Sequence, residues 1–391
     1  MDFEIWWLLG IPVFFSLGWI AARVDIKQLL SESRTLPRGY FKGLNLLLNE
    51  QPDKAIDAFI EVVQLDPETI ELHFALGNLF RRRGETERAI RIHQNLLARA
   101  DLKPEMRSQV QFELGQDYLK AGLLDRAEEA FDSLANTLLE PEARRALLEI
   151  YQREKEWKRA IQAAEALQAS GAGSRQKEIA HYYCELAQDE LVQTNPAAAL
   201  ATLEKAIAVD RSSVRATILM GDAYMALGDP DAAIRTWLRV EQQSASHVGL
   251  VAQRLMDAYK AAGRPQEGIN LLRHYLTEAA SIDLMEVAFK AELDEHGVEA
   301  AYKIVGHELH RTPTLLGLDK WLEARSMTVP PEYMSELTMV KSVVHGYAQK
   351  LARYQCSYCG FKARQFYWQC PGCSHWETYP PRRSEELTIL N

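Results

Sequence analysis

Glycine and proline are scarce in this chain, 21 and 15 of 391 residues, while alanine, leucine, glutamate and arginine dominate, so helix is the expected state. Length excludes a single compact core and asks for several folding units or one elongated array, which the composition favours. Excess positive charge is missing as well. The net charge of -9 argues against wholesale nucleic-acid binding, leaves room for a local basic patch, and makes a protein the expected partner. Two signs of enzymes are absent: no glycine-rich phosphate loop follows a strand, and no nucleophile elbow occurs. The nearest approach to a zinc-protease motif, His307-Glu308-Leu309-His310, spaces its histidines too closely and offers no third ligand, so it reads as part of a helix. No catalytic residue is expected.

Charge is missing altogether from one stretch. Between Glu4 and Arg23 lie eighteen residues without any, rich in Ile, Leu, Trp and Phe. At helical rise they cover roughly 27 Å, close to the hydrocarbon thickness of a bilayer, which predicts one membrane-spanning helix. The start Met1-Asp2-Phe3-Glu4 lacks the positive n-region of a cleaved signal, and no small-x-small cleavage site follows, so the span reads as an anchor. Arg23, Lys27, Arg34, Arg38 and Lys42 follow the span whereas Asp2 and Glu4 precede it, placing the bulk of the chain in the cytoplasm. Trp6, Trp7 and Trp19 suit the two interfaces.

The middle of the chain repeats. A small residue is followed by a large one three on, an alanine or glycine twelve on, and a second large residue four beyond that. Gly43, Leu46, Ala55 and Phe59 open the series; Gly77, Phe80, Ala89 and His93 continue it, then Gly115, Tyr118, Ala127 and Phe131. Leu148, Tyr151, Ala160 and Ala164 form a fourth copy, and Ala187, Glu190, Ala199 and Leu203 a degenerate fifth. Gly221, Tyr224, Ala233 and Trp237 make a clear sixth, followed by the looser Met256, Tyr259, Gly268 and Leu272, then Ala288, Ala291, Ala300 and Ile304. The step stays near 34 residues, because two antiparallel helices cross closely only where small side chains meet. The eight copies resemble the tetratricopeptide family over residues 40–313. That resemblance implies a superhelix whose inner groove holds a peptide or protein segment, with Asn78, Arg81, Gln116 and Asp222 facing it. Arg81-Arg82-Arg83 also stand at a helix end, where cations meet the dipole favourably.

Cysteine occurs only five times. Cys184, alone in the apolar HYYCELA, is expected to be a small buried hydrophobe. The other four form Cys356-x-x-Cys359-Gly360 and Cys370-Pro371-Gly372-Cys373, two tight turns that can present four thiolates to one metal ion. A closed site of this kind has no open position for a substrate, so its expected use is structural, stabilising a segment too short to fold alone. Four thiolates suit zinc and iron alike. The pairs resemble rubredoxin, an iron protein, although the loop between them is shorter than in electron-transfer rubredoxins. Between the pairs, FKARQFYWQ has strand-like character. Lys350, Arg353, Lys362 and Arg364 alternate with Phe361, Phe366, Tyr367 and Trp368, a mixture that can hold nucleic acid or dock the knuckle on the last repeats; docking is preferred.

The expected class is thus an all-α tetratricopeptide solenoid with an N-terminal transmembrane helix and a C-terminal rubredoxin-like knuckle. Its parts are an anchor at 1–23, a linker at 24–39, repeats at 40–313, helices at 314–353, the four-cysteine domain at 354–380 and a tail at 381–391. In this order of parts, from the Trp-rich anchor to Cys356, Cys359, Cys370 and Cys373, the chain resembles the lipopolysaccharide assembly protein B family of Gram-negative bacteria. The resemblance implies a single-pass inner-membrane adaptor with a periplasmic N-terminus. It would present the deacetylase that commits precursors to lipid A to a membrane-bound AAA metalloprotease, opposed by an inner-membrane regulator that senses lipopolysaccharide. Assembly of the synthetic enzymes is the alternative; a redox or nucleic-acid scaffold built on the knuckle is a more distant one.

Overall fold

The computed structural model describes residues 42–43, 45–46, 51–65, 70–171 and 173–389. The predicted span and linker lie outside these residues, and among the described residues no helix is long and apolar enough to cross a membrane. The chain divides into two compact units, Met1–Arg153 and Glu154–Asn391.

The first unit contains α1 (Pro52–Leu65), α2 (Ile70–Arg83), α3 (Thr86–Leu97), α4 (Pro104–Ala121), α5 (Leu124–Asp132) and α6 (Glu140–Arg153). Short connections pair α2 with α3 and α4 with α5 as helical hairpins. Helix α4 stops at Gly122, whose φ of 76° returns its N–H to the carbonyls of Leu119 and Tyr118. The repeat pattern then acquires a cause. Ala55, Ala89 and Ala127 are fully buried, and the large residue four further on lies against the glycine that opens the copy. A Cβ on Gly43 would stand 2.7 Å from the Phe59 ring, and one on Gly115 2.6 Å from Phe131. The glycine therefore lets an aromatic ring of the second helix rest on the backbone of the first.

In the second copy the large position holds His93, fully buried with its ring over Gly77. Its Nδ1 lies 2.5 Å from Oδ2 of Asp117, a fully buried carboxylate on α4. Arg81 donates to Asp117 Oδ1 at 3.0 Å, to the Glu113 carbonyl at 3.1 Å and to the Glu113 carboxylate. Arg81 stands in the last turn of α2 as expected, but the expectation that it faces a groove is corrected, because it ties α2 to α4. Asn78 and Gln116 remain half-buried.

The second unit runs through α7 (Trp157–Ala169), α8 (Gln176–Val192), α9 (Pro196–Val209), α10 (Val214–Ala226), α11 (Pro230–Trp237), α12 (Arg239–Gln243) and a 3-10 turn at Ala245–His247. It continues with α13 (Val248–Ala261), α14 (Pro265–Ala279), α15 (Ile282–His296), α16 (Val298–Arg311), α17 (Leu315–Ser326) and α18 (Met334–Leu351). Local sequence starts several of these helices: Asn195, Ser213, Asp229, Ser281 and Thr314 each accept, through the side chain, a backbone N–H three residues on. The sixth copy shows the ring-on-glycine contact in its tightest form, with the Trp237 indole on Gly221 and its Nε1–H donating to the Ile218 carbonyl at 2.9 Å. In the eighth copy the buried pair is Ala301 and Val305, one residue later than the expected Ala300 and Ile304. His307 and His310 lie exposed on α16. Cys184 is fully buried between α8, α9 and α10, and desolvation pushes its thiol up to about 12, so it packs as a hydrophobe.

The chain ends in a small lobe: β1 (Tyr354–Gln355) pairs antiparallel with β2 (Lys362–Ala363), Gln369 bridges Trp376, and α19 (Ser384–Ile389) follows. The strand character expected across FKARQFYWQ is confined to Lys362–Ala363 and that one bridge; of the residues between, Phe366 and Trp368 turn toward the helices.

Candidate metal centre and its docking surface

Two matching turns build the centre. In the first, the Gly360 N–H donates to the Cys356 carbonyl at 3.0 Å with Gly360 at φ 76°. In the second, the Ser374 N–H donates to the Cys370 carbonyl at 2.8 Å with Ser374 at φ 57°. The glycine expected just past the first pair is in place; in the second turn a serine takes the left-handed position. Gly372 is needed instead for closeness, since a Cβ there would lie 3.2 Å from the Phe361 side chain.

The four sulfurs lie within 4.8 Å of one another, with Cys356 to Cys373 at 3.8 Å and Cys359 to Cys370 at 3.6 Å. Tetrahedral zinc–thiolate bonds of about 2.3 Å would separate sulfurs by about 3.8 Å, so the set fits one ion. Backbone N–H groups point at two of the sulfurs: Cys359 donates to Cys356 Sγ at 3.5 Å and Gly372 to Cys370 Sγ at 3.4 Å. Burial opposes ionisation of Cys356, but the Thr378 hydroxyl and the N–H groups of Cys359 and Tyr358 reverse that and bring the thiol down to about 6. Desolvation and the neighbouring sulfurs push Cys373 up to about 12. Sulfurs this close ionise together only with a cation among them.

The lobe docks through Phe366 and Trp368 of the aromatic loop and through Trp376 and Glu377, which the sequence did not single out. Trp376 stacks on His181 of α8, with centroids 4.5 Å apart, and Arg215 of α10 lies 5.8 Å from the same indole. Trp368 lies parallel to His247 at 5.8 Å, with Phe366 edge-on to both rings. Beside them Glu377 accepts from Lys177 Nζ at 2.9 Å and from His181 Nε2 at 3.2 Å. The His181 bond, then Lys177, outweigh desolvation and hold the Glu377 carboxyl down at about 2. Desolvation lowers His181 and His247 alike. His181 Nδ1 is buried without a hydrogen-bond partner, so the neutral ring with its proton on Nε2 fits the site.

At the other side of the lobe, Tyr354 donates to Asp283 Oδ2 at 2.6 Å and Arg383 donates to both oxygens of Asp283, its guanidinium 4.2 Å from the Tyr354 ring centroid. Arg383 also reaches the Ala352 and Arg364 carbonyls, at 3.1 and 3.0 Å. Glu386 accepts the Ile282 N–H at 3.0 Å at the start of α15, and Glu385 accepts the N–H groups of Leu315 and Leu316 at the start of α17. The segment after residue 380 thereby caps two helices.

Docking was expected on the last repeats through the basic aromatic loop; the eighth repeat does receive the lobe, at Ile282 and Asp283, but earlier repeats receive it too. The receiving surface is α8, α10, the turn at Ala245–His247 and the start of α15. Phe366 and Trp368 take part, but Lys362 and Arg364 point into solvent and Lys350 lies over Tyr347. Asp222, expected to face a groove, accepts from Arg254 at 2.7 Å. The one available hint was the cluster His375-Trp376-Glu377 just past the last cysteine, aromatic and charged where a bare metal turn needs neither.

Comparison with known proteins places these features. Residues 354–381 match a family model described as a rubredoxin metal binding domain, and residues 72–105, 112–175 and 184–247 match tetratricopeptide repeat models. A solved structure of MamA aligns at 19% identity over 51% of this chain and 93% of its own, with a TM-score of 0.28, too slight a likeness to build on. Lipopolysaccharide assembly protein B of Haemophilus influenzae is 30% identical, covering 98% of this chain and 99% of its own. The protein of the same name from Escherichia coli K12 is 36% identical over 97% of this chain and 98% of its own. With repeats and metal-binding fold both in place over nearly full length, the chain belongs to the lipopolysaccharide assembly protein B family.

Proposed function

We propose that this protein is a non-enzymatic adaptor that controls lipopolysaccharide supply at the inner membrane. In this reading residues 1–23 anchor the chain, and the repeats on the cytoplasmic side hold the lipid A deacetylase for a membrane-bound AAA metalloprotease. Confinement to the membrane surface raises the effective concentration of both, so the adaptor contributes no chemistry of its own. A lipopolysaccharide-sensing membrane regulator would oppose it. The observation that carries the reading is full-length membership of a family named for lipopolysaccharide assembly, combined with repeats that serve as protein-binding surfaces.

Cys356, Cys359, Cys370 and Cys373 are the proposed ligands of one zinc or iron ion, which holds the lobe folded and its docking side chains in register. The deacetylase lifetime in cells, after depletion of this protein, tests the adaptor role. A lengthening that vanishes when the protease is inactive supports it; an unchanged lifetime refutes it and leaves assembly of the synthetic enzymes as the function.

A further inference from the structure

Between α14 and α16 opens a cleft of about 370 Å³, none of whose walls comes from the docked lobe. The register of the eighth copy makes it. Because that copy turns Ala301 and Val305 into the core, Ala300 and Ile304 face the cleft instead, and Ala300, Lys303, Ile304 and His307 form one stripe along α16 at three-and-four spacing. Arg273, Leu276 and Thr277 line it from α14, and Arg311 ties the two helices together by donating to the Leu276 and Thr277 carbonyls. The floor is apolar and the rim basic.

Two carboxylates also reach the cleft, and both are already answered. Glu292, buried on α15, accepts from Arg273 Nε at 2.6 Å and lies 2.9 Å from His296 Nδ1; Glu308, buried on α16, lies 3.0 Å from Arg311 and 3.3 Å from His307 Nδ1. Spare donors remain. Both Nη groups of Arg273, the Lys303 ammonium and His307 Nε2 have no protein partner among the described residues, and the Arg273 and His307 side chains are 48 and 72% exposed. Unused donors around an apolar floor are matched by carboxylates around an apolar side chain.

We infer that this cleft binds an acidic segment of a partner protein, seating a leucine- or phenylalanine-sized side chain on Leu276 and Ile304 with carboxylates on Arg273 and Lys303. Charge identifies the occupant. The unanswered side-chain groups at the rim are all donors, so an anionic segment satisfies them and a basic or neutral one does not. The two free Nη groups of Arg273 suit a carboxylate taken bidentately. An anionic bilayer is a poorer match, because the floor is recessed between two helices and the net charge of -9 opposes approach to a negative surface. The contact is smaller than the roughly 800 Å² per partner of a standard interface, so its affinity is micromolar. The site stands whether or not the repeats also hold the deacetylase, since its test involves neither that enzyme nor a protease.

Panning a library of short random peptides on the full chain in uncharged detergent micelles tests this, with the Lys303→Glu chain as the subtracted control. Enriched peptides are expected to carry two or more carboxylates around one large apolar residue. A synthetic peptide of that pattern should bind with a dissociation constant of about 10–100 micromolar by fluorescence anisotropy, and more weakly as salt is raised. Lys303→Glu should weaken it at least about tenfold, and Ala300→Leu, which fills the floor, at least about fivefold. The helical circular dichroism of both variants should stay unchanged, because Lys303 is exposed and Ala300 lies outside the core. No enrichment over the Lys303→Glu chain overturns the inference. So does a basic or purely apolar consensus, or binding indifferent to either variant. Saturable, Lys303-dependent binding of short-chain phosphatidylglycerol, with no acidic peptide enriched, would give the cleft to lipid and likewise overturn it.

Discussion

Gly221 carries the Trp237 indole directly on its backbone, and the indole is held there by its bond to the Ile218 carbonyl. Gly221→Ala is therefore expected to destabilise the second unit by about 1–3 kcal/mol through overpacking, read as a lowered denaturant midpoint in tryptophan fluorescence. The same substitution at Gly346, where a Cβ meets open space, should raise the midpoint slightly. Asp117 answers two partners at once, His93 and Arg81, with no exposure to water. Removing it in Asp117→Ala leaves Arg81 without one of its carboxylates and His93 without its hydrogen bond to that carboxylate, at a cost of about 3–5 kcal/mol. Exposed Asp101, paired with Arg99 at the surface, should matter far less in the matching variant. The spacing made Gly221 and Trp237 legible as a packing pair. It could not reveal Asp117, because a carboxylate one repeat away enters no pattern read along a single copy.

The terminal lobe depends on groups whose titration runs in one direction. Glu377 is held down at about 2 and His181 and His247 are lowered from their usual values, so for each group the unfolded chain binds protons more readily than the docked one. Their contributions are complete above the unfolded pKa values and are lost as pH falls: the histidines first, below about 6.5, and Glu377 below about 4.5. The protection of residues 354–389 against hydrogen exchange, measured relative to the intrinsic rate at each pH, should accordingly fall between pH 7.5 and pH 5. His181→Phe keeps a ring on Trp376 but cannot titrate, and should flatten part of that change; an unaltered profile would show that His181 is not responsible. At this scale the turns of the metal centre were legible, since ligand spacing and the Gly360 turn are local. The docking partners were not. Trp368 and Trp376 look alike in sequence whether they face helices, nucleic acid or water.

Across the whole chain, a metal ion would act on one lobe and be felt on another part of the second unit. Cys356→Ser or Cys373→Ser is expected to abolish stoichiometric metal, one ion per chain by elemental analysis, and to release the lobe from its docking surface. Hydrogen exchange should then rise in residues 354–389 and also on α8 around His181 and at the start of α15, while the far-ultraviolet helical signal stays nearly constant. Rapid exchange confined to the lobe would mean that docking supports neither helix. By itself the sequence determined the helical class, the period near 34 residues, the ring-on-glycine positions and the four-cysteine set, because each rests on spacing within a few turns of chain. Tertiary structure alone decided that Glu377 meets Lys177 across 200 residues, that Arg383 locks onto Asp283 across 100, and that one face of α18 is left uncovered among the described residues. Those pairings follow from how stacked helices bring distant surfaces together, and a local pattern contains no record of which surface arrives.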